Sequence, residues 1–534
     1  MKFSITIILI SLFISSLHSQ PLQVNWQHCY GGSNYENGYT IVKSTNSFVL
    51  FCGTDSHDGD VTGYHGGYGD YWLIKSDTSG NILWTKTYGG VDEEDASDMK
   101  QTPDGGFILF GSTSTISVSG EVVGNHGGYD FWLVKIDSLG TIEWSKCLGG
   151  SCDDEAYKID LTQDGGFICI GYSCSNDGDV TVNHGMYDIW IVKLDQTGTI
   201  LWQNSFGGTS IDWGMCVHST SDGGAIVGGA ISSVDGNIQC NYHGGNGDIW
   251  VAKLDSFGDI EWQKCFGGTG YESVVSIIPT DDGGYIYTGV TNSNDGDVSG
   301  NHGDDDVWVV KLDNFGNLVW QKCYGGTAME TGLVIKKSND GNYFIGGYTF
   351  SNDGDVSGNH SLIPYFSDIW LIKISPVGDL IWQQCLGGIG SEGLEDLLEL
   401  PGGRMMLLGG THTDDYSGDV QCAHHGPGTS DVWLLSVSDT TYVGNHEIKG
   451  ESFKIWISPN PVNEDARFNA TNPNYACNTI IKIINNFGQV INSFILYKGE
   501  SNILFNCHSI SSGLYYYTYS NDHFNGAGKI MITH

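Results

Sequence analysis

A seven-residue phrase that recurs along the chain constrains the fold more than any other feature of the sequence. The clearest copy, WQKCYGG, occupies residues 320–326, and the tryptophans that open successive copies are 58, 60, 58, 60, 58 and 62 residues apart. These tryptophans are Trp26, Trp84, Trp144, Trp202, Trp262, Trp320 and Trp382. Seven copies at so regular a period predict a repeat architecture.

Each repeat contains four short strand-like segments. In the fifth repeat they cover residues 271–279, 285–291, 307–313 and 318–323. An Asp-Gly-Gly turn, a long polar loop and an Asn-Phe-Gly-Asn turn separate them. Four short strands with turn signals between them are typical of a propeller blade, whereas a solenoid would usually have a shorter period.

The two ends of the repeat region predict that the ring is closed by the N-terminal strand. Residues 22–30 supply only a fourth strand, and the last repeat supplies three strands, near 394–400, 404–411 and 432–437. Pairing the first strand with the last repeat removes two open sheet edges. We therefore predict an all-β fold in which a seven-bladed β-propeller spans residues 20–440.

Fourteen of the sixteen tryptophans lie in the third and fourth strands of the repeats. The third-strand set is Trp72, Trp132, Trp190, Trp250, Trp308, Trp370 and Trp433. They could pack between the sheets or form an exposed aromatic cage for sugar. Strict recurrence within strands favours packing, because each buried indole removes a large apolar area from water.

Residues 1–19 have the pattern of a signal peptide. Lys2 provides the charged start, and residues 7–14 form an apolar segment interrupted only by Ser11. A membrane anchor is the alternative, but the apolar segment is too short to span a bilayer comfortably. No later segment approaches a membrane span, so we expect a mature chain without one.

The charge balance is strongly acidic. The chain has 62 acidic and 23 basic residues, which gives a formal net charge of −39. Such a surface repels nucleic-acid phosphates, so a nucleic-acid partner is not expected. It suits an exported protein, or one that uses carboxylates to hold hard cations.

The cysteines are predicted to be mostly unpaired. Five of the fourteen occupy one equivalent site, at Cys29, Cys147, Cys265, Cys323 and Cys385. Equivalent sites in a radial array lie farther apart than the roughly 7 Å Cα separation that a disulfide allows. We interpret these five as small packing residues and consider Cys477 and Cys507 the best candidates for a pair.

Four of the long loops carry an Asp-Gly-Asp sequence, followed by a histidine and by an aspartate just before the third strand. The motif aspartates are Asp58 and Asp60, Asp177 and Asp179, Asp295 and Asp297, and Asp353 and Asp355. Hard oxygen ligands around a sharp turn suit Ca²⁺. The same residues also form turns that bond their own backbone, and the missing EF-hand spacing favours that interpretation. The repeated histidine, such as His302, is expected to make a loop hydrogen bond.

No catalytic motif is present in the sequence. We find no nucleophile elbow, paired-histidine zinc motif or phosphate loop, and no catalytic residue is assigned. Carboxylates such as Asp153, Asp154 and Glu155 fall on the face where the long loops gather. A pair of them could support glycosidase chemistry, although nothing in the sequence singles out a pair.

The repeat ends near residue 440, and a different module begins at about residue 453 after a linker at 441–452. It contains Pro-Asn-Pro-Val, Gly-Gln-Val, Ser-Gly-Leu-Tyr and Gly-Lys-Ile in that order, and alternating short strands predict a small antiparallel β-sandwich. The module, residues 453–534, resembles the type A C-terminal sorting domain of the bacterial type IX secretion system. The motif residues are Pro459, Asn460, Pro461, Gly488, Gly513 and Lys529. Asn486 departs mildly from the family pattern, which frequently has an acidic residue there.

The resemblance implies a partner and a location. It implies recognition by the type IX secretion machinery, passage from the periplasm through the outer membrane, removal of the module, and release or attachment at the cell surface. The leading interpretation is a non-enzymatic binding or adhesion module that holds polysaccharide or protein on its long-loop face. The alternatives are a glycan-active hydrolase or lyase with carboxylates at the mouth of the ring, and a structural spacer.

Overall fold

The computed structural model describes most of the chain between residues 21 and 533. The residues outside the description are 1–20, 117–118, 241, 246, 362–364, 414–415, 423–427, 442–454, 459, 471–478, 486–488, 498–499, 501, 521–524 and 534. The predicted signal peptide therefore lies outside the described residues. No helix in the described residues is long and apolar enough to cross a membrane. The chain divides near residue 440 into two compact units.

The first unit is built from four-stranded antiparallel sheets that follow one another along the chain. Sheet 1 contains β2 (Glu36–Ser44), β3 (Ser47–Thr54), β4 (Asp70–Asp77) and β5 (Ile82–Tyr88). Sheet 2 contains β6 (Glu94–Gln101), β7 (Phe107–Thr113), β8 (Asp130–Ile136) and β9 (Ile142–Leu148). Sheet 3 contains β10 (Asp154–Leu161), β11 (Phe167–Ser173), β12 (Asp188–Leu194) and β13 (Ile200–Phe206).

The same order continues through the remaining sheets of this unit. Sheet 4 contains β14 (Asp212–Ser219), β15 (Ala225–Ile231), β16 (Asp248–Leu254) and β17 (Ile260–Phe266). Sheet 5 contains β18 (Glu272–Pro279), β19 (Tyr285–Thr291), β20 (Asp306–Leu312) and β21 (Leu318–Tyr324). Sheet 6 contains β22 (Glu330–Lys337), β23 (Tyr343–Thr349), β24 (Asp368–Ile374) and β25 (Leu380–Leu386). Sheet 7 combines β26 (Glu392–Leu400), β27 (Arg404–Thr411) and β28 (Asp431–Asp439) with β1 (Leu22–Tyr30).

The first strands of all seven sheets line one central channel, which confirms the predicted propeller-like, all-β architecture. These strands are β2, β6, β10, β14, β18, β22 and β26. Where pairing is described, each of them has a register shift after its third residue, as between Ala96 and Asp98 in β6. The shift marks a β-bulge, which bends the strand locally. The second and third strands are almost wholly buried, which explains their continuous apolar runs.

The N-terminal strand completes sheet 7, as the sequence predicts. β1 pairs antiparallel with β28, from Leu22 opposite Asp439 to Tyr30 opposite Val432. The Leu22 N–H also donates to Oε1 of Gln384 in sheet 6 at 2.9 Å. The first and last strands of this unit therefore form one sheet, and β28 has no open edge on that side.

The tryptophans of the third strands form the packing between sheets. All seven are at most 2% exposed. Five of them donate their indole N–H to a glutamine that directly follows the tryptophan of the repeated phrase. The pairs are Trp190–Gln203, Trp250–Gln263, Trp308–Gln321, Trp370–Gln383 and Trp433–Gln27, at 2.8 to 3.0 Å. The glutamine of the phrase thus satisfies a buried donor on the neighbouring strand. The fourth-strand tryptophans are mostly half-buried.

The structure contains three disulfides among the described residues, and two of them correct the prediction that the repeated cysteines are unpaired. Cys29 pairs with Cys422 and Cys265 pairs with Cys240, with Cα separations of 5.6 and 5.5 Å. The repeated cysteines do not pair with one another, but these two meet a cysteine in the long loop of their own sheet. Cys147, Cys323 and Cys385 are buried and unpaired among the described residues, as predicted. The third disulfide joins Cys152 to Cys174.

The second unit contains two antiparallel sheets around its own core. One sheet has β29 (Ile455–Ser458), β30 (Asp465–Ala470) and β33 (Asn502–Asn506). The other has β31 (Thr479–Ile484), β32 (Val490–Leu496), β34 (Gly513–Ser520) and β35 (Asn525–Ile532). Phe468, Phe505 and Tyr517 pack together between them. Cys507 is buried, and its predicted partner Cys477 lies outside the described residues.

We expect the Cys29–Cys422 disulfide to stabilise the first unit more than the Cys152–Cys174 disulfide does. The bonded cysteines are 393 residues apart in the first case and 22 in the second. Loop-closure entropy then makes the first bond worth about 2.5 kcal/mol more. Cys29→Ser with Cys422→Ser should lower the midpoint of denaturant unfolding more than Cys152→Ser with Cys174→Ser. Equal midpoints for the two double variants would contradict this expectation.

Candidate functional site

The Asp-Gly-Asp turns dock onto the Gly-Gly connections that lead from one sheet to the next. In the loop of sheet 5, Oδ1 of Asp295 accepts the N–H of Thr269 at 2.8 Å. Asp297 N–H donates to the Gly267 carbonyl at 2.8 Å. Gly296 has φ +63°, and a Cβ there would lie 2.3 Å from the same carbonyl oxygen, so only glycine fits. The long loops and the connections therefore share one face, as the sequence predicts.

The same contact recurs for the first aspartate of the other motifs. Asp58, Asp177 and Asp353 accept the backbone N–H of Ser33, Ser151 and Thr327, respectively, at 2.7 to 2.8 Å. Among the described residues, no group of three or more histidine, cysteine or acidic side chains is placed to hold a metal ion. Turn bonding thus accounts for these aspartates, and Ca²⁺ binding by the loops stays a prediction.

A buried carboxylate at the start of the first strand of each sheet also binds the Gly-Gly connection, on the side opposite the Asp-Gly-Asp turn. In sheet 2, Oε2 of Glu94 accepts the Gly90 N–H at 2.6 Å, and Oε1 accepts the hydroxyls of Thr113 and Thr115 at 2.7 Å. A Cβ on Gly89 would lie 2.3 Å from Oδ1 of Asp70, which heads the third strand of sheet 1. The connection therefore passes between two buried carboxylates of adjacent sheets.

The repeated histidine of the long loops binds the aspartate that heads its third strand. Nδ1 of the histidine lies 2.6 to 2.9 Å from that carboxylate, which is fully buried in every case. The pairs are His65–Asp70, His126–Asp130, His184–Asp188, His243–Asp248, His302–Asp306 and His360–Asp368. The backbone N–H of each histidine donates to the same oxygen, as from His302 to Asp306 at 3.0 Å. The expected loop hydrogen bond is thus confirmed.

Several of these histidines also reach the next sheet. Nε2 of His65 lies 3.2 Å from Glu121, and Nε2 of His243 lies 3.5 Å from Asp297. Both acceptors belong to the long-loop turn of the following sheet. One imidazole can therefore bridge two carboxylates from adjacent sheets when it is protonated.

Burial and these contacts change the pKa values of the bridging groups. Burial raises the pKa of Asp70 and of Asp130 to about 6, although hydrogen bonds from His65 and His126 oppose the shift. Burial lowers the pKa of His126, but the hydrogen bond and charge of Asp130 outweigh it, and the pKa lies above its ordinary value. At about pH 6, these three groups therefore bind more protons in the folded state than in the unfolded chain.

The consecutive carboxylates Asp153, Asp154 and Glu155 have different surroundings. Asp154 is buried and accepts the Gly150 N–H at 2.6 Å and the Ser175 hydroxyl at 2.9 Å, so its role is structural. Asp153 accepts the Tyr129 N–H at 3.2 Å. Glu155 is half-buried and interacts with Tyr172, which places it beside a group of aromatic rings; burial raises the pKa of that phenol, and Glu155 adds to the shift.

Those rings form a patch on the long-loop face, which we call the mouth patch: Tyr157, Tyr172, Tyr187 and Trp213. Tyr172 lies at the centre, with ring centroids 5.9 Å from Tyr157, 5.3 Å from Tyr187 and 6.3 Å from Trp213. Trp213 is 36% exposed. Unlike the buried tryptophans, Trp213 occurs in only one repeat, so the repeat pattern does not predict its role.

Carboxylates of neighbouring sheets adjoin the mouth patch. Desolvation raises the pKa of Asp95 to about 6, and the charges of Glu93, Glu155 and Asp55 add to the shift. The Tyr129 hydroxyl donates to Oε2 of Glu93 at 2.5 Å. This part of the face therefore combines aromatic rings with carboxylates, one of which has its pKa raised to about 6.

The central channel has a volume of about 350 Å³ and walls of two kinds. Charged residues come from sheets 2, 3, 4, 6 and 7: Asp98, Lys100, Lys158, Asp160, His218, Lys336, Glu395 and Asp396. Apolar residues such as Val275, Ile278 and Leu333 come from sheets 5 and 6. Equivalent positions carry different residue types in different sheets, so the repeat did not predict this lining.

The described sorting-motif residues of the second unit lie together. The side chain of Asn460 donates to the Lys529 carbonyl at 2.9 Å and accepts the Met531 N–H at 2.9 Å. Pro461 follows it, and Gly513 pairs with Ile532 at the end of β34. Pro459 and Gly488 lie outside the described residues. The first motif thus anchors the final strand, which carries the last motif.

We expect the free energy of unfolding to fall as the pH rises from about 5 to about 8. Asp70 and Asp130 have raised pKa values in the folded state, so their contribution is present at low pH and is lost as the pH rises through about 6. His126 acts in the same direction, because its folded pKa is also raised. Denaturant titrations across this range would measure the slope.

Matched variants identify the source of that slope. Asp130→Asn should reduce it, whereas Asp137→Asn should leave it unchanged, because the lowered pKa of Asp137 keeps that exposed carboxylate ionised throughout. A slope unaffected by Asp130→Asn would show that the buried pair does not control the pH dependence.

If the Asp-Gly-Asp loops hold Ca²⁺, the chelator EDTA should lower the melting temperature and added Ca²⁺ should restore it. Binding only to the folded state adds about 2.7 kcal/mol per site at a hundredfold excess over Kd. The double variant Asp295→Asn with Asp297→Asn should remove the stabilisation that one Ca²⁺ site provides. The turn interpretation gives the opposite result: EDTA has no effect and asparagine substitutes with little loss. Isothermal titration without Ca²⁺ uptake at millimolar concentration would decide for the turns.

Comparisons with known proteins identify the second unit. Residues 456–533 match the family described as the secretion system C-terminal sorting domain. The comparison with curated proteins finds no match for the chain.

Solved structures resemble the chain only distantly. The AfRom2 CNH domain has a TM-score of 0.38 and 9% identity, with 78% of this chain and 98% of that chain covered. A DUF4221 family member from Bacteroides vulgatus has a TM-score of 0.30 and 9% identity, covering 61% and 92%. Cobalt-substituted Synechocystis ACO has a TM-score of 0.34 and 10% identity, covering 78% and 97%. Similarities at this level carry no argument about function.

The sorting domain determines where the chain goes. Its family match and its ordered motifs agree with the resemblance found in the sequence. The chain is a propeller-like protein that is exported by type IX secretion to the cell surface or the extracellular space.

Proposed function

We propose that the protein is an extracellular binding module whose long-loop face holds a polysaccharide. The observation that supports this proposal most is the mouth patch. It places Trp213, Tyr172 and Tyr187 beside the carboxylate of Glu155. A sugar ring has an apolar face of C–H groups and a rim of hydroxyls, so aromatic rings and carboxylate acceptors complement its two kinds of surface.

The remaining surroundings of the patch support a binding role. The long loops that frame the face are held by repeated hydrogen bonds, such as those from Thr269 and Ser151 to their motif aspartates. A preorganised surface loses little conformational entropy when a ligand binds. The seven-fold scaffold thus provides a rigid support for a patch that occurs in only one part of it.

The mouth patch can be tested on a glycan array with the chain that lacks only residues 1–19, followed by affinity measurements on the glycan that binds best. Trp213→Ala and Tyr172→Ala should each weaken binding by about tenfold or more, because buried aromatic contacts dominate many binding energies. Phe257→Ala is a matched control. Phe257 is an exposed aromatic residue of sheet 4, the sheet of Trp213, and lies in the short turn between β16 and β17. Equal losses from Phe257→Ala would contradict the proposal, and binding to a protein but to no glycan would favour a protein ligand.

A glycan-active hydrolase or lyase is the second candidate, and the raised pKa of Asp95 favours it. A protonated Asp95 beside a second carboxyl group such as Glu155 provides a general acid with a candidate partner base. Under this alternative, Asp95→Asn abolishes turnover of a bound glycan but leaves its affinity largely intact. The binding-module proposal instead expects no turnover from the unmodified protein.

We expect deletion of residues 453–534 to leave the rest of the chain in the periplasm, because these residues contain the sorting domain. A point variant offers a sharper test. Asn460→Ala removes both hydrogen bonds to the last strand, whereas Asn469→Ala alters a half-buried asparagine of β30 that does not contact that strand through these bonds. Cell fractionation should show reduced export only for the first variant. Normal surface display of the truncated chain would contradict the assignment.

A further inference from the structure

Two oppositely charged side chains face the central channel without an ion-pair partner in the described part of the chain. They are Lys158 on β10 and Glu395 on β26, and both are half-buried. The charge of Lys158 acts on the Glu395 carboxylate: burial raises the pKa of that carboxylate, and Lys158 opposes the shift. The two groups therefore face a common space without making direct contact.

The other charged groups of the channel are already paired. Lys100 contacts Asp98 at 2.6 Å, Lys336 contacts Asp396 at 2.9 Å, and His218 contacts Asp160 at 2.8 Å. Asp160 also accepts the Ser219 N–H at 2.8 Å, so this pair is fixed to the scaffold. The paired groups need no ligand. The charge of Lys158 also lowers the pKa of Asp98, but no carboxylate of the described residues lies within ion-pair distance of its ammonium. One ammonium and one carboxylate therefore remain available to bind a ligand.

Sheets 5 and 6 contribute several apolar side chains to the channel wall. Val275, Ile278 and Leu333 are half-buried and line the same cavity. The volume of about 350 Å³ lies at the lower end of the range for small-molecule pockets. The cavity therefore suits a small molecule with an apolar part rather than a polymer.

We propose that the central channel binds a small zwitterion with an apolar side chain, of the α-amino acid class. Lys158 binds its carboxylate, Glu395 binds its ammonium, and its side chain packs against Val275 and Leu333. A single ion would neutralise one of the two charges and leave the other half-buried and unpaired, which is unfavourable. A zwitterion compensates both charges at once. This site is separate from the mouth patch.

Isothermal titration of the mature full-length chain with leucine and phenylalanine tests the proposal. N-acetyl-leucine lacks the ammonium and leucinamide lacks the carboxylate, so each should bind at least about tenfold more weakly than leucine, because a charge-assisted hydrogen bond is lost. Lys158→Met and Glu395→Gln should each weaken leucine binding by about the same factor. Glu395→Gln should leave the affinity for N-acetyl-leucine unchanged, which a general loss of structure would not do.

Two controls separate the site from effects on folding. Lys43→Met removes an exposed lysine of β2 and should not change leucine binding. The exchange variant Lys158→Glu with Glu395→Lys keeps both charges in the channel and should restore binding lost in the single variants. The proposal is overturned if neither amino acid binds saturably at millimolar concentration, or if Lys43→Met weakens binding as much as Lys158→Met.

Discussion

The buried carboxylates between adjacent sheets are the interaction on which the rest of the ring depends. Glu94 accepts the Gly90 N–H and two threonine hydroxyls, and Asp70 of the preceding sheet lies against Gly89. A buried carboxylate is tolerated only when hydrogen bonds replace its hydration, and the backbone of the connection supplies them. The connection is thereby fixed, and with it the position of each sheet relative to the next.

This arrangement explains why the repeated phrase ends in two glycines. The first glycine passes so close to a buried carboxylate that a side chain cannot be accommodated, as at Gly89, and the second donates its N–H to the acid of the next strand. In the four loops that contain it, the Asp-Gly-Asp turn covers the corresponding segment, as Asp295 does at Thr269; at Gly89, Glu121 takes this place. Three acidic positions therefore converge on each connection, and much of the acidic composition is structural.

The sequence predicts the features that every repeat must share. Strand order, closure by residues 22–30, burial of the third-strand tryptophans and the face of the long loops all follow from the period and the turn residues. The disulfides of Cys29 and Cys265 were mispredicted because only equivalent cysteines were compared with each other. The signal lay in the loops, where Gln-Cys at 239–240 and 421–422 replaces the Ser-Gly or Thr-Gly of the first, fifth and sixth repeats.

The candidate sites lie where residue types differ between repeats. The contrast between the recurrent third-strand lysines and Lys158 is an example. Five third-strand lysines are buried and pair with the aspartate of a short turn at 2.7 to 3.0 Å: Lys135–Asp104, Lys193–Asp164, Lys253–Asp222, Lys311–Asp282 and Lys373–Asp340. These pairs lie away from the long-loop face, so they do not offset its acidic groups. Within the described residues, Lys158 has no such ion-pair partner, and it faces the channel. Because the long-loop face keeps its negative charge, a polysaccharide bound there should be neutral or cationic, since an anionic chain would be repelled.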